Sequence, residues 1–249
     1  MKLQRLLSLT RKAIDDYQLI EENDKIAIGI SGGKDSLTLL CALAHLKKFY
    51  PVPFSLCAIT VDLGYPKYNT SGIADFCTSL NIDYYVVKTE IADIITSQQN
   101  QKSPCSLCAK LRKGALNQKA LELNCNKVAY AHHKDDLIET MFLSLLYEGR
   151  FHSCSPKTHW TSTNLTLIRP LIYIYEVDII GFQNKNTLPL LKNPCPIDGH
   201  TKRTIVKNII KQLNQQIPGC KDRMFRAILD GKFDDWPIPI IHTKHNKEQ

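Results

Sequence analysis

No apolar run in the 249-residue chain approaches the roughly 18–20 residues that would span a bilayer, so no membrane role is expected. The opening "MKLQRLLSLTRK" lacks a long apolar core and a small-residue cleavage site. That argues against a secretory signal and makes the cytoplasm the expected compartment. Internal repeats and low-complexity segments are missing too, which excludes solenoid and linker-like readings. Acidic residues are the scarcer charge: 24 Asp and Glu stand against 32 Lys and Arg, a net charge of +8. A polyanionic partner such as nucleic acid suits that balance, because lysine and arginine neutralise phosphates and release counterions. What is present is ordinary for a globular protein, with 43% apolar and 22% charged residues. Nine cysteines are the exception. In a reducing compartment, clustered cysteines point to metal binding or thiol chemistry rather than a disulfide framework.

Hydrophobic periodicity predicts an amphipathic helix over 3–20, strands at 25–30, 54–63, 82–88, 127–133 and 165–172, and helices at 35–48, 108–123 and 135–149. Continuous apolar strands alternating with helices predict an α/β fold, a doubly wound parallel sheet covered on both faces. Residues 1–184 read as that domain. Residues 185–249, without a strong strand signal, read as a small helical C-terminal appendage ending in a solvated tail, "HTKHNKEQ".

Ligands in such sheets bind at the carboxyl ends of the strands. Three stretches fall there: the turn Ser31–Ser36, "VDLGYP" with Asp62, and "HHKDD" with His132, His133, Asp135 and Asp136. The turn "GISGGKDSLTLL" places Ser31, Gly32, Gly33, Lys34, Asp35 and Ser36 between a strand and a helix. Its glycines let backbone amides approach an anion, and the helix offers its positive N-terminus. The spacing is neither G-x-x-x-x-G-K-[ST] nor G-x-G-x-x-G. A mere helix cap would need one such residue, not six.

Among the cysteines, Cys105 and Cys108 stand in "PCSLC" and Cys195 in "NPCP". Cys41, Cys57, Cys77 and Cys125 lie in or beside apolar elements and read as small buried residues. Cys154 and Cys220 have no assignment. The residues alone leave three chemistries open: zinc completed by Cys220, His200 or another ligand, an iron–sulfur cluster on three thiolates, or a metal-free disulfide or persulfide pair. Around the acids, carboxylates beside a nucleotide turn could bind Mg²⁺ or handle protons. For Asp136 the plain alternative is a capping box with Glu139, and for His132 a strand-end residue with a backbone partner. Lys110, Arg112 and Lys113 follow the cysteine pair. Arg203, Lys207 and Lys211 recur along a helix near Cys195, where contact with an RNA backbone is expected.

"SGGKDS" resembles the signature of the PP-loop ATP pyrophosphatases. Together with "PCSLCAKLRKGAL", "AHHKDDLIETMFLSLLYEGRF", "IRPL", "NPCP" and "PGCKDRMFRAILD", it resembles the tRNA 2-thiocytidine synthetase family over roughly residues 25–230. The resemblance implies an ATP-dependent tRNA sulfurtransferase that adenylates the C2 oxygen of an anticodon-loop cytidine and replaces it with sulfur. It implies ATP held by Ser31–Ser36 with Mg²⁺ and Lys34; from their places beside that turn, Asp62 is expected to contact the ribose and Lys34, Asp35, His133, Asp135 and Asp136 to take catalytic parts. It further implies a 4Fe–4S cluster on Cys105, Cys108 and Cys195, with sulfur arriving at the open iron from a cysteine desulfurase or a small thiol, and a homodimer. Two departures stand out. Cys195 is followed by Pro196, Ile197 and Asp198 where a second Cys-x-x-Cys is common, and Ala131 stands where glycine is usual. The alternatives are a 2-thiouridine synthetase, an amide-forming ligase, which would need a glutaminase domain, and a zinc-stabilised RNA-binding relative.

Overall fold

Strand β1 (Asp24–Gly29) turns Ile26 and Ile28 to one face and Ala27 to the other, all with no exposed surface. Its neighbour β2 (Phe54–Asp62) does the same, with Leu56 and Ala58 on the first face and Cys57 and Ile59 on the second. A strand buried on both faces must be central, and that forces helices onto both sides. In the computed structural model, which describes residues 1–66, 68–97, 104–191, 195 and 201–231, the sheet has six strands in the order β3-β2-β1-β4-β6-β5. These include β3 (Asp83–Lys88), β4 (Lys127–Ala129), β5 (Lys157–Trp160) and β6 (Leu165–Ile168). All pairs are parallel except β5 with β6. The fold is therefore α/β with a mostly parallel sheet.

Helices α1 (Leu3–Tyr17), α2 (Lys34–Leu46), α6 (Lys134–Leu143) and α7 (Glu176–Gln183) cover the first face. Leu37, Leu39, Leu40, Leu43 and Leu46 of α2 are fully buried, as expected of a helix apolar on nearly every side. Each such side chain contributes about 1.5–3 kcal/mol on burial. Helices α8 (Lys202–Gln216) and α9 (Cys220–Asp230) dock on α6 and add Val206, Ile210, Phe225 and Ile228 to the same core. The second face is thinner. There α5 (Pro104–Glu122) lays Leu116 and Ala120 over Ala27, Cys57 and Val128. Helices α3 (Ser71–Ser79) and α4 (Ile91–Ser97) complete the described elements.

Several predicted boundaries shift. The strand expected over 127–133 stops at Ala129, because His133 leaves the sheet to cap α6. The strand expected to 172 ends at Ile168, shortly before Pro170, which has no N–H to give a ladder. The helix expected over 135–149 runs to Leu143 and continues as a π turn, Ser144–Glu148. Helices α3, α4 and α7 and the antiparallel edge strand β5 were not anticipated. They are short, and brief apolar runs carry little periodic signal. The sheet order reverses between β1 and β4, and the crevice opens there.

Candidate active site

The Ser31–Ser36 turn connects β1 to α2 and is bonded mainly to itself. The Ser31 N–H donates to Ser36 Oγ (3.2 Å), the Gly33 N–H to Ser31 Oγ (3.3 Å), and Ser36 Oγ–H to the Gly33 carbonyl (3.0 Å). Gly33 is the N-cap of α2 and supplies no side-chain cap, so the expected plain alternative of a capping Ser31 or Asp35 is not what the turn does. Gly32 has φ +80°, and a Cβ there would stand 2.7 Å from Leu191 Cβ. The Leu191 N–H donates to the Gly32 carbonyl at 2.9 Å. Leu191 thus lies against the turn.

Lys34 pairs with Asp35 (3.4 Å) and with Glu176 Oε1 (3.0 Å). Burial would lower its ammonium pKa, but the two carboxylates outweigh that and raise it. Asp35 Oδ1 is buried without a hydrogen-bond partner, 3.8 Å from His133 Nε2. Asp62 ends β2, and its Oδ1 accepts from the Gly64 N–H at 3.0 Å.

The acids of "HHKDD" have defined partners. His133 is the N-cap of α6, in a reciprocal capping box with Asp136: the Asp136 N–H donates to His133 Nδ1 (3.4 Å), and the His133 N–H to Asp136 Oδ2 (3.0 Å). The box expected between Asp136 and Glu139 therefore starts three residues earlier. Glu139 instead pairs with Arg203 at 3.0 Å. Asp135 is buried. Its Oδ2 accepts from the Glu176 N–H at 2.7 Å, and its Oδ1 pairs with Lys221. The partner of His132 is a side chain rather than backbone: Arg169 Nε donates to its Nδ1 at 3.1 Å. Burial, reinforced by the Arg169 charge, lowers the His132 pKa to about 4 and keeps the ring neutral.

Cys105 is exposed and Cys108 half-buried in the first turns of α5. Burial raises the Cys108 thiol against the pull of Arg112, and Cys195 and Cys105 both raise it further. Burial raises the Tyr65 hydroxyl pKa, and the neighbouring Cys195 raises it further. Tyr65 also lines an open cleft of about 390 Å³, solvent mouth included, together with Ser31, Asp62, Tyr68 and Arg112. The cleft runs from Ser31 of the turn, past the end of β2, to Arg112 of α5, the helix that carries Cys105 and Cys108. None of the nine cysteines is in a disulfide. Cys41, Cys57, Cys77 and Cys125 are buried as expected, Cys154 contacts Thr140, and Cys220 bonds Asn214. His200 lies outside the described residues.

The basic residues divide. Arg112 faces the cleft. Lys113 lies over the Trp160 ring at 3.8 Å. Arg203 and Lys207 pair with the carboxylates of Asp136, Glu139 and Glu176 while their side chains stay substantially exposed. Lys211 is exposed. Sequence reasoning missed Tyr65, Arg169, Glu176 and Lys221 as site residues. Tyr65, Arg169 and Lys221 sat inside quoted motifs, whereas no local signal marked Glu176.

The PP-loop domain family matches residues 4–213. A tRNA-cytidine(32) 2-sulfurtransferase of Pelobacter propionicus is 39% identical over 99% of this chain and 89% of its own length. One from Geobacter sulfurreducens is 34% identical over 92% and 90%. Among solved structures, the U34-tRNA thiolase NcsA from Methanococcus maripaludis, with its [4Fe-4S] cluster, superposes with a TM-score of 0.70 at 26% identity, covering 90% of this chain and 78% of that one. The nucleotide turn, the cleft and these likenesses agree: the chain belongs to the PP-loop domain family and, within it, to the family of tRNA-cytidine(32) 2-sulfurtransferases.

Proposed function

We propose that this chain is an ATP-dependent tRNA sulfurtransferase that converts an anticodon-loop cytidine to 2-thiocytidine. One observation carries the reading: a single cleft is lined both by Ser31 of the glycine-rich turn and by Tyr65, whose hydroxyl feels Cys195. In the proposed reaction the C2 carbonyl oxygen of the base attacks the α-phosphorus of ATP. An O–P bond forms, the bond to the β-phosphate's bridging oxygen breaks, and pyrophosphate leaves. A sulfur nucleophile then adds at C2, and AMP departs with the original oxygen. The base must be unstacked to enter, which a loop permits more readily than a duplex.

The amides of Gly32 and Gly33 and the Lys34 ammonium would stabilise the developing phosphate charge. Asp62 would contact the ribose. The orphaned Asp35 Oδ1 fits a magnesium ion, an oxygen-seeking cation, and His133 would orient that carboxylate. Asp135 and Asp136, both engaged in structural hydrogen bonds, act on our reading as positioning residues. Cys105, Cys108 and Cys195, of which the first and last both raise the Cys108 thiol, would hold an iron–sulfur cluster, which when bound would supply a metal site for sulfur.

We also propose a homodimer supplied by a cysteine desulfurase or a small thiol, and the 1–184 and 185–249 division as domain and appendage. Among the described residues no helix is long and apolar enough to cross a membrane, and we place the protein in the cytoplasm. The likeness to a U34-tRNA thiolase favours one second reading, a 2-thiouridine synthetase. Mass spectrometry of tRNA nucleosides from a strain lacking the gene decides between them. We expect selective loss of 2-thiocytidine. Loss of a 2-thiouridine would favour the second reading, and persistence of every thiolated pyrimidine would sink both.

A further inference from the structure

Glu176 has no part in the reaction as described, yet it touches the one cation in the nucleotide turn. It is the first residue of α7, and both carboxylate oxygens are engaged by lysines from opposite directions. Oε1 lies 3.0 Å from Lys34 Nζ, and Oε2 lies 2.6 Å from Lys207 Nζ on α8. Its backbone N–H donates to Asp135 Oδ2 at 2.7 Å, and Asp135 is held in turn by Lys221 of α9. Two helices thus meet at the carboxylate, and a third anchors its backbone. Burial would raise its pKa, but hydrogen bonds from Lys207 and Lys34 outweigh this and hold it at about 2, so Glu176 is ionised at any working pH.

Lysine is a point charge on a flexible stem that loses rotamer freedom when fixed. A carboxylate paired on its other oxygen with Lys207 and anchored through its own backbone N–H can fix it in advance. The same carboxylate stands one ammonium away from where phosphate oxygens would come to Lys34, and it would repel them. Lys207 neutralises that repulsion. We propose that Glu176 is a positioning residue for Lys34: it aims the ammonium at the charge that develops as pyrophosphate leaves, at the expense of affinity for ATP in the ground state. Lys207 keeps that expense small. An interaction of this kind favours the transition state over bound substrate, which is where rate is gained. The inference rests on the nucleotide half of the proposed function, not on which base is modified.

Two measurements on the full-length chain test it: calorimetric titration with α,β-methylene-ATP in magnesium buffer, and tRNA-dependent pyrophosphate release at saturating ATP. Glu176→Gln should bind the analogue about three- to tenfold more tightly and release pyrophosphate at least about tenfold more slowly. A merely structural lesion would weaken both. Lys207→Met should bind the analogue about tenfold more weakly, because Glu176 is then unneutralised. In the double variant that defect should be relieved, since the repelling charge is gone. Weaker analogue binding by Glu176→Gln, or a Lys207→Met defect that persists unchanged in the double variant, overturns the proposal. Analogue binding needs no tRNA. If the wild type binds the analogue but releases no pyrophosphate with tRNA, the tRNA reading fails while the Glu176 binding arm still reports.

Discussion

On the nucleotide wall of the cleft, the turn at Ser31–Ser36 hydrogen-bonds to itself, and α2 behind it is buried along nearly its whole length. On the cysteine wall, α5 exposes Cys105, half-buries Cys108 and buries only Leu116, Asn117 and Ala120, all in its second half. The first wall is complete before any ligand arrives. The second is less buried, and its two cysteines stand on the more exposed half of α5. A phosphate site gains from rigidity, because preorganised amides need no rearrangement as charge develops. A cluster site gains its order on assembly, since metal binding and local folding are coupled.

The largest effects should come from breaking the cysteine wall, and only there. Cys105→Ser, Cys108→Ser or Cys195→Ser should each lower tRNA thiolation by more than about a hundredfold and reduce iron content, while nucleotide affinity stays within about threefold. A Cys195→Ser variant with full activity and full iron would end the three-ligand assignment. The converse break is Gly32→Ala, which forces a side chain into a left-handed φ and against Leu191. We expect about 1–3 kcal/mol of destabilisation and about a tenfold loss of ATP affinity. Chemical denaturation and calorimetry read both, and unchanged values would show the turn to be softer than its contacts imply.

Acid should also act on the crevice. His132 is held to about 4 against an ordinary value of 6.5, so the unfolded chain binds a proton the folded chain refuses. Its contribution is complete above about pH 6.5 and is lost as pH falls toward 4, a change of roughly 3 kcal/mol. Urea melts across that range should show a shallower acid limb for His132→Asn, and superimposable pH profiles would remove His132 from the account. The smallest effect belongs to the anchor of α5. Lys113→Met removes a cation from the face of Trp160 and should cost about 0.5–1 kcal/mol by urea denaturation. A larger loss would mean that the cysteine wall is more tightly held than its burial implies.

Legibility followed the same divide. The parallel sheet could be read because β1 and β2 are apolar on both faces and β4 is wholly buried, while α2 and α6 repeat with helical period. The antiparallel β5 could not, since its four residues, Lys157–Trp160, carry no clear alternation. Ser31 through Ser36 announced an anion site because every group that shapes the turn lies within six residues. His133 and Asp136 were visible as candidates, but their reciprocal capping bonds depend on where α6 begins, a boundary that strand length left open.

By itself the sequence determined the local devices: the glycine turn before a helix, the i, i+3 cysteine pair on α5, and the apolar strands that make the sheet central. Each depends on neighbours a few residues apart, where backbone geometry leaves few choices. Only the tertiary structure decided which distant charges meet. It turned Arg203 and Lys207 from a solvated stripe into partners for buried and half-buried carboxylates, brought Cys195 to Tyr65, and set Glu176 between Lys34 and Lys207. The physical reason is that a buried charge must find a counter-charge. Which one it finds depends on how α6, α7 and α8 pack, not on how far apart the residues stand in the chain.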